Sequence, residues 1–99
     1  CTANLIAQFA HGLADDLVST TVLGAACPLL LAPAMNHRMW AHPRVQANLA
    51  LLQGDGVHVV GPTRGWLAEG EVGLGRMEEP EGIQAAIQRC LDERARDRN

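Results

Sequence analysis

The sequence contains no long hydrophobic run. Its longest apolar stretch, Leu29 to Pro33 with small neighbours, is far short of the roughly 20 residues that span a bilayer, so no transmembrane helix is predicted. There is no excess of positive charge either: 8 basic residues stand against 11 acidic ones, for a net charge of -3. Without a basic stripe or interleaved aromatics, nucleic acid is not an expected partner. Cysteine is scarce. Cys1, Cys27 and Cys90 are odd in number and widely spaced, which fits small buried thiols of a cytoplasmic protein better than a disulfide framework. No Cys-x-x-Cys accompanies the scattered His11, His37, His42 and His58, so no metal site is expected. Internal repeats, low-complexity segments and a linker to a second domain are also missing. The chain opens on Cys1 with no initiator Met, basic n-region or cleavage signature, and so reads as a fragment or a processed chain.

What remains is a soluble globular composition, 47% hydrophobic and 19% charged over 99 residues, enough for one small domain or part of one. Leu5, Ile6, Phe9 and Leu13 recur at helical spacing. Gly12 then breaks the pattern, and Asp15 and Asp16 offer a new N-cap ahead of Leu17, Val18 and Val22. Pro28 to Ala32 reads as a short strand buried on both faces, ending in a loop that starts at Pro33. Pro43 suits the first position of a helix whose apolar face is Val45, Leu49 and Leu52, closed by Gly54 and Gly56. Val57 to Val60 follows as a second buried strand. Residues 28 to 60 therefore predict a right-handed parallel βαβ unit.

From Gly61 to Arg76 the density of glycines predicts a mobile loop. A last helix opens at Glu78, Glu79, Pro80 and Glu81 with Ile83, Ile87, Cys90 and Leu91 as its apolar stripe. Beyond it a charged tail, residues 92–99, is expected to be solvated and frayed. Two strands are too few for a stable parallel sheet, so further strands are expected upstream of Cys1.

Ligands of open parallel sheets bind beyond the carboxyl ends of the strands, where Pro33 to Trp40 lies. The segment packs an amide, a cation, a thioether and an indole into one turn; Met and Trp there can equally be core packing. The string Pro33-Ala34-Met35-Asn36-His37-Arg38-Met39-Trp40 resembles the P-x-M-N-x-x-M-W motif of the homo-oligomeric flavin-containing cysteine decarboxylases, with every fixed position present. Thr2-Ala3-Asn4 resembles the end of that family's P-A-S/T-A-N-T motif, and residues 5 to 16 its following helix. Gly65 to Gly70, Gly75-Arg76-Met77 and Glu79-Pro80-Glu81 resemble its substrate-recognition loop and last helix. The resemblance covers roughly residues 1 to 88, and the coenzyme A biosynthetic decarboxylase is the member most alike.

The resemblance implies an α/β fold, a Rossmann-like or flavodoxin-like parallel sheet with helices on both faces and its N-terminal part missing. Residues 1–91 would be the C-terminal portion of the flavoprotein domain. It implies FMN as cofactor and decarboxylation of 4'-phospho-N-pantothenoylcysteine to 4'-phosphopantetheine, through oxidation of the thiol-bearing carbon, loss of carbon dioxide to give an ene-thiolate, and conversion of the ene-thiol to the saturated thiol by the reduced flavin. Asn36 would hydrogen-bond the substrate carboxylate with Met39 beside it, while Thr2 and Asn4 would hold the flavin. Arg76 would meet the substrate phosphate or cap the next segment. Partners implied are a homo-oligomer, trimer or dodecamer, and a fused ligase domain downstream.

Three departures qualify this. Glu69 stands where the coenzyme A enzymes commonly carry a proton-donating cysteine, and is either a replacement donor or a solvated loop residue. Leu5 replaces a threonine. The family's phosphate-binding glycine loop and active-site histidine fall upstream of Cys1, so the isolated chain is expected to bind FMN weakly or not at all. Two other readings stand beside the first: a peptidyl-cysteine decarboxylase that stops at the ene-thiol, and a non-catalytic regulatory or binding protein.

Overall fold

The computed structural model describes residues 1–66 and 72–97. Helix α1, Ala3–Ala10, is started by Thr2, whose Oγ1 accepts a hydrogen bond from the Leu5 amide at 3.1 Å. It stops at Ala10, and Gly12 takes a φ of 66°, a left-handed conformation open to glycine, which is the break expected at that residue. Helix α2, Leu17–Leu23, begins as predicted at Asp16. The Asp16 carboxylate accepts from the Ser19 amide at 2.7 Å while Ser19 Oγ accepts from the Asp16 amide at 3.2 Å, a reciprocal capping box. Those bonds from the Ser19 amide and hydroxyl hold the Asp16 carboxyl below its ordinary pKa.

Strands β1, Leu30–Leu31, and β2, His58–Val59, pair in parallel, Leu30 opposite His58 and Leu31 opposite Val59. Between them come α3, His37–Ala41, and α4, Pro43–Gly54. Pro43 sits in the first turn of α4 as expected, and His42 caps it by accepting the Arg44 amide on Nδ1 at 3.0 Å. Leu49 and Leu52 of α4 meet Ile6 of α1 and Leu31 of β1 in the core, with Phe9, Met35, Trp40, Val45, Val57 and Val59 packed around them. Burial of each large aliphatic chain here is worth about 1.5–3 kcal/mol.

Leu30 and His58, on the other side of the pleat, line a cleft of about 180 Å³ with Ile87, Cys90 and Leu91. These belong to α5, Pro80–Asp97, so the parallel pair carries helices on both faces. Cys1 extends the ladder: its amino group donates to the Ala32 carbonyl at 3.0 Å and its carbonyl accepts from the Ala34 amide at 3.0 Å, the alternation of parallel pairing.

Two expectations are corrected. The glycine-rich stretch, expected to be a mobile loop, contributes the two strands of a hairpin: β3, Thr63–Trp66, runs antiparallel to β4, Val72–Arg76, with Gly65 opposite Gly73. Glycine inside a strand often marks a close approach by another group, and both of these have one. Nor does the charged tail fray as far as Asp97; it extends α5, with Gln88 bonded to Asp92 one turn on at 3.0 Å. The side chains of Asp92 to Arg96 are solvated as expected, but so are Ile87 and Leu91 of the predicted apolar stripe, whereas Ala86 is buried.

Candidate active site

The site is built at the carboxyl end of β1. Pro33, fully buried, carries the chain out of the strand, and Asn36 starts α3, so the supposed loop is half helix. Asn36 Oδ1 accepts from the Arg38 amide at 2.7 Å and from the Met39 amide at 3.4 Å. This cap decides which way the amide faces. With Oδ1 tied to the helix, the Nδ2 hydrogens point away from it as donors, and among the described residues they meet no acceptor. Met39, one turn along, is 48% exposed. Trp40 and Met35 pack on the core, as the packing alternative held for the aromatic residue.

The Cys1 to Ala34 bond sets the first turn of α1 beside this segment. Thr2 and Asn4 are exposed there, Thr2 with its hydroxyl oxygen used as the α1 cap. From the other side comes the hairpin: the Met35 amide donates to the Gly75 carbonyl at 2.8 Å. Arg76 therefore lies one residue from Gly75, and its guanidinium pairs with Glu79 at 3.2 Å. Thus two backbone bonds bring the residue before Thr2 and the residue before Arg76 to the segment that carries Asn36 and Met39, while the Arg76 side chain itself lies against Gly65 and Glu79. Glu69 lies outside the described residues.

Sequence reasoning overlooked the parts that hold this arrangement. They are backbone groups and glycines: the Met35 amide, Gly73 against the His37 side chain, and Gly75 against the Met35 carbonyl. The signal available was the alternate spacing of Gly73 and Gly75, which suits a strand lying close to another backbone.

This geometry, polar donors from two segments at the carboxyl end of a parallel pair with an antiparallel hairpin seated alongside, can be set against known proteins. The family model described as Flavoprotein matches residues 1–92. The chain belongs to that family. Among its relatives, the coenzyme A biosynthesis bifunctional protein CoaBC of Bacillus subtilis (strain 168) is 50% identical over 82 residues, 83% of this chain and 20% of the relative. A cysteine/cysteine sulfinic acid decarboxylase of an unknown prokaryotic organism is 49% identical over 82 residues, 23% of its length. A solved PPC decarboxylase mutant complexed with pantothenoylaminoethenethiol shares the fold with a TM-score of 0.89 at 32% identity, over 93% of this chain and 52% of that one. The FMN-dependent cysteine decarboxylase SpaF matches with a TM-score of 0.70 at 40% identity, over 89% of this chain and 47% of that one. The family's flavodoxin-like α/β fold is therefore the fold of this chain. The chain spans about a fifth of the curated relatives it matches and about half of the solved structures.

Proposed function

We propose that the protein of which this chain forms part is an FMN-dependent carboxy-lyase that decarboxylates 4'-phospho-N-pantothenoylcysteine to 4'-phosphopantetheine in coenzyme A biosynthesis. The observation that carries the proposal is Asn36: its oxygen is committed to capping α3, leaving the amide hydrogens as outward donors. A neutral donor fixes a carboxylate without the strong ground-state stabilisation of a buried cation. Loss of that charge as carbon dioxide leaves is then less opposed.

The residues present fit one polar edge of a flavin. The exposed Asn4 amide and the Thr2 hydroxyl hydrogen stand in the first turn of α1, where backbone amides without helical partners add further donors. Bound there, FMN would supply the two-electron oxidation at the thiol-bearing carbon that makes the substrate cysteine ready to decarboxylate and, once reduced, would return those two electrons to the ene-thiol to give the saturated thiol. Met39 offers an exposed apolar wall beside Asn36, and Arg76, half exposed on the hairpin base, a cation for the phosphate end. Glu69 remains in this reading as the proton donor that takes the place of cysteine.

Residues 1–91 then form the C-terminal portion of the decarboxylase domain, followed by a fused ligase domain of the kind that the bifunctional relatives' names imply. Assembly into a cytoplasmic trimer or dodecamer completes the proposal; the exposed Leu17, Val18 and Leu23 of α2 suit burial against another surface. The likeness to SpaF favours a second reading, decarboxylation of a cysteine in another carrier. The complete protein should purify with flavin absorbance and release carbon dioxide from 4'-phospho-N-pantothenoylcysteine. Absence of turnover with bound flavin overturns the first substrate, and product mass distinguishes the saturated thiol from an ene-thiol by two hydrogens.

A further inference from the structure

The hairpin and the Asn36 segment are joined by a contact that only glycine permits. A Cβ on Gly75 would overlap the carbonyl oxygen of Met35 and come within 3.3 Å of the His37 amide. One on Gly73 would stand 3.2 Å from Cβ, Cγ and Nδ1 of His37. Between these contacts runs the 2.8 Å bond from the Met35 amide to the Gly75 carbonyl. Asn36 is the residue enclosed: its neighbours Met35 and His37 are both held by β4, and its own side chain starts α3.

From this geometry we infer that Gly75 and Gly73 are positioning residues, which seat the hairpin on Met35 and His37 and thereby fix where the Asn36 amide points. The inference rests on the reading of Asn36 as the group that orients the substrate carboxylate. A side chain at position 75 must push β4 away from the Met35 carbonyl, breaking the backbone bond and freeing the turn that carries Asn36. Position 73 meets a side chain rather than backbone, so His37 can yield and the displacement is smaller. The hairpin is in this way a brace for the Asn36 amide.

The test uses the complete flavin-bound protein with Gly75→Ala, Gly73→Ala and, as control, Gly54→Ala, where an added Cβ meets nothing within 4 Å. Gly75→Ala is expected to lower kcat/KM by roughly 10- to 100-fold, mainly through KM, with flavin absorbance retained. Gly73→Ala should show a smaller change in the same direction and carries the test if Gly75→Ala does not fold. Hydrogen exchange provides a readout that does not depend on turnover: the Met35, Arg38 and Met39 amides should lose protection in Gly75→Ala and keep it in Gly54→Ala. Unchanged protection at all three amides in both hairpin variants overturns the inference. If protection is lost as expected but wild-type protein does not decarboxylate any cysteine substrate, the brace stands and the proposed function fails.

Discussion

Asn36 offers a substitution that separates support of the fold from chemistry. In Asn36→Asp a carboxylate oxygen can still accept from the Arg38 and Met39 amides, now 2.7 and 3.4 Å from Oδ1, and Asp caps helices about as well as Asn. The donor, however, is gone, and a like charge stands where the substrate carboxylate would bind. A hydrogen bond to a charged group is worth about 1.5–3 kcal/mol, which predicts a loss in kcat/KM of roughly 10- to 150-fold from the missing donor alone. Repulsion between the carboxylates adds to it. Asn36→Ala removes donor and cap together, with a further stability cost of about 1 kcal/mol, or roughly 2–4 °C in Tm for a domain of 150–250 residues.

The assay pairs thermal melts with steady-state decarboxylation on complete protein of known flavin content. The expected pattern is Asp stable and slow, Ala less stable and slow. An Asp variant that keeps wild-type kcat/KM would refute the carboxylate role. An Asp variant that melts as low as Ala would refute the capping argument, and with it the deduction of which way the amide faces.

Other outcomes follow from the same structure. Leu49→Ala, at a site 4% exposed in the core with Ile6, Leu31 and Leu52, should cost about 2–5 kcal/mol of stability, checked by denaturant unfolding. Hydrogen bonds from the Ser19 amide and hydroxyl hold the Asp16 carboxyl below its ordinary pKa in the fold. Its contribution is therefore present above the unfolded pKa and is lost as pH falls through the folded one. Ser19→Ala keeps the amide bond to the Asp16 carboxylate and removes the hydroxyl one, so it should flatten the decline in Tm from about pH 5 downward only in part, and an unchanged acid slope would show that the hydroxyl carries no linkage. Gly65→Ala would place a Cβ 2.7 Å from Arg76 Cδ, so it should displace the guanidinium and raise KM for the phosphorylated substrate more than for its dephosphorylated analogue. Equal changes for both would remove Arg76 from phosphate recognition.

The βαβ unit was legible because it rests on local patterning. Val45, Leu49 and Leu52 mark one face of α4, Pro43 its start, and the two apolar runs have no other use than a buried pair. Asp16 was readable as a cap for the same reason. The hairpin was not. Its glycines contradict strand propensity, and the reason for them is tertiary: β4 lies against Met35 and His37, forty residues earlier, which no local window contains. Helix α5 outran its expected end because the charged segment from Asp92 needs no buried face to remain helical; residues such as Glu93 and Arg94 are good helix formers, and the Gln88 to Asp92 bond supports the turn. At the site, the motif pointed to Asn36, Met39, Thr2 and Asn4, but not to the fact that Asn36 and Thr2 are themselves helix caps.

That double duty narrows why asparagine occupies position 36. Capping alone does not select it, since Asp and Ser start helices equally well. Binding a carboxylate alone does not select it either, since Arg or Lys would bind more strongly. The two demands together do. Under the proposed function the residue must accept from the Arg38 and Met39 amides on one side and donate to the substrate carboxylate on the other, without a positive charge that would oppose loss of that carboxylate. Ser offers a single donor on a short arm, and Gln would set its amide one methylene too far to close the cap at Arg38. Asn meets each requirement within one rigid group, with its orientation fixed by the helix it begins.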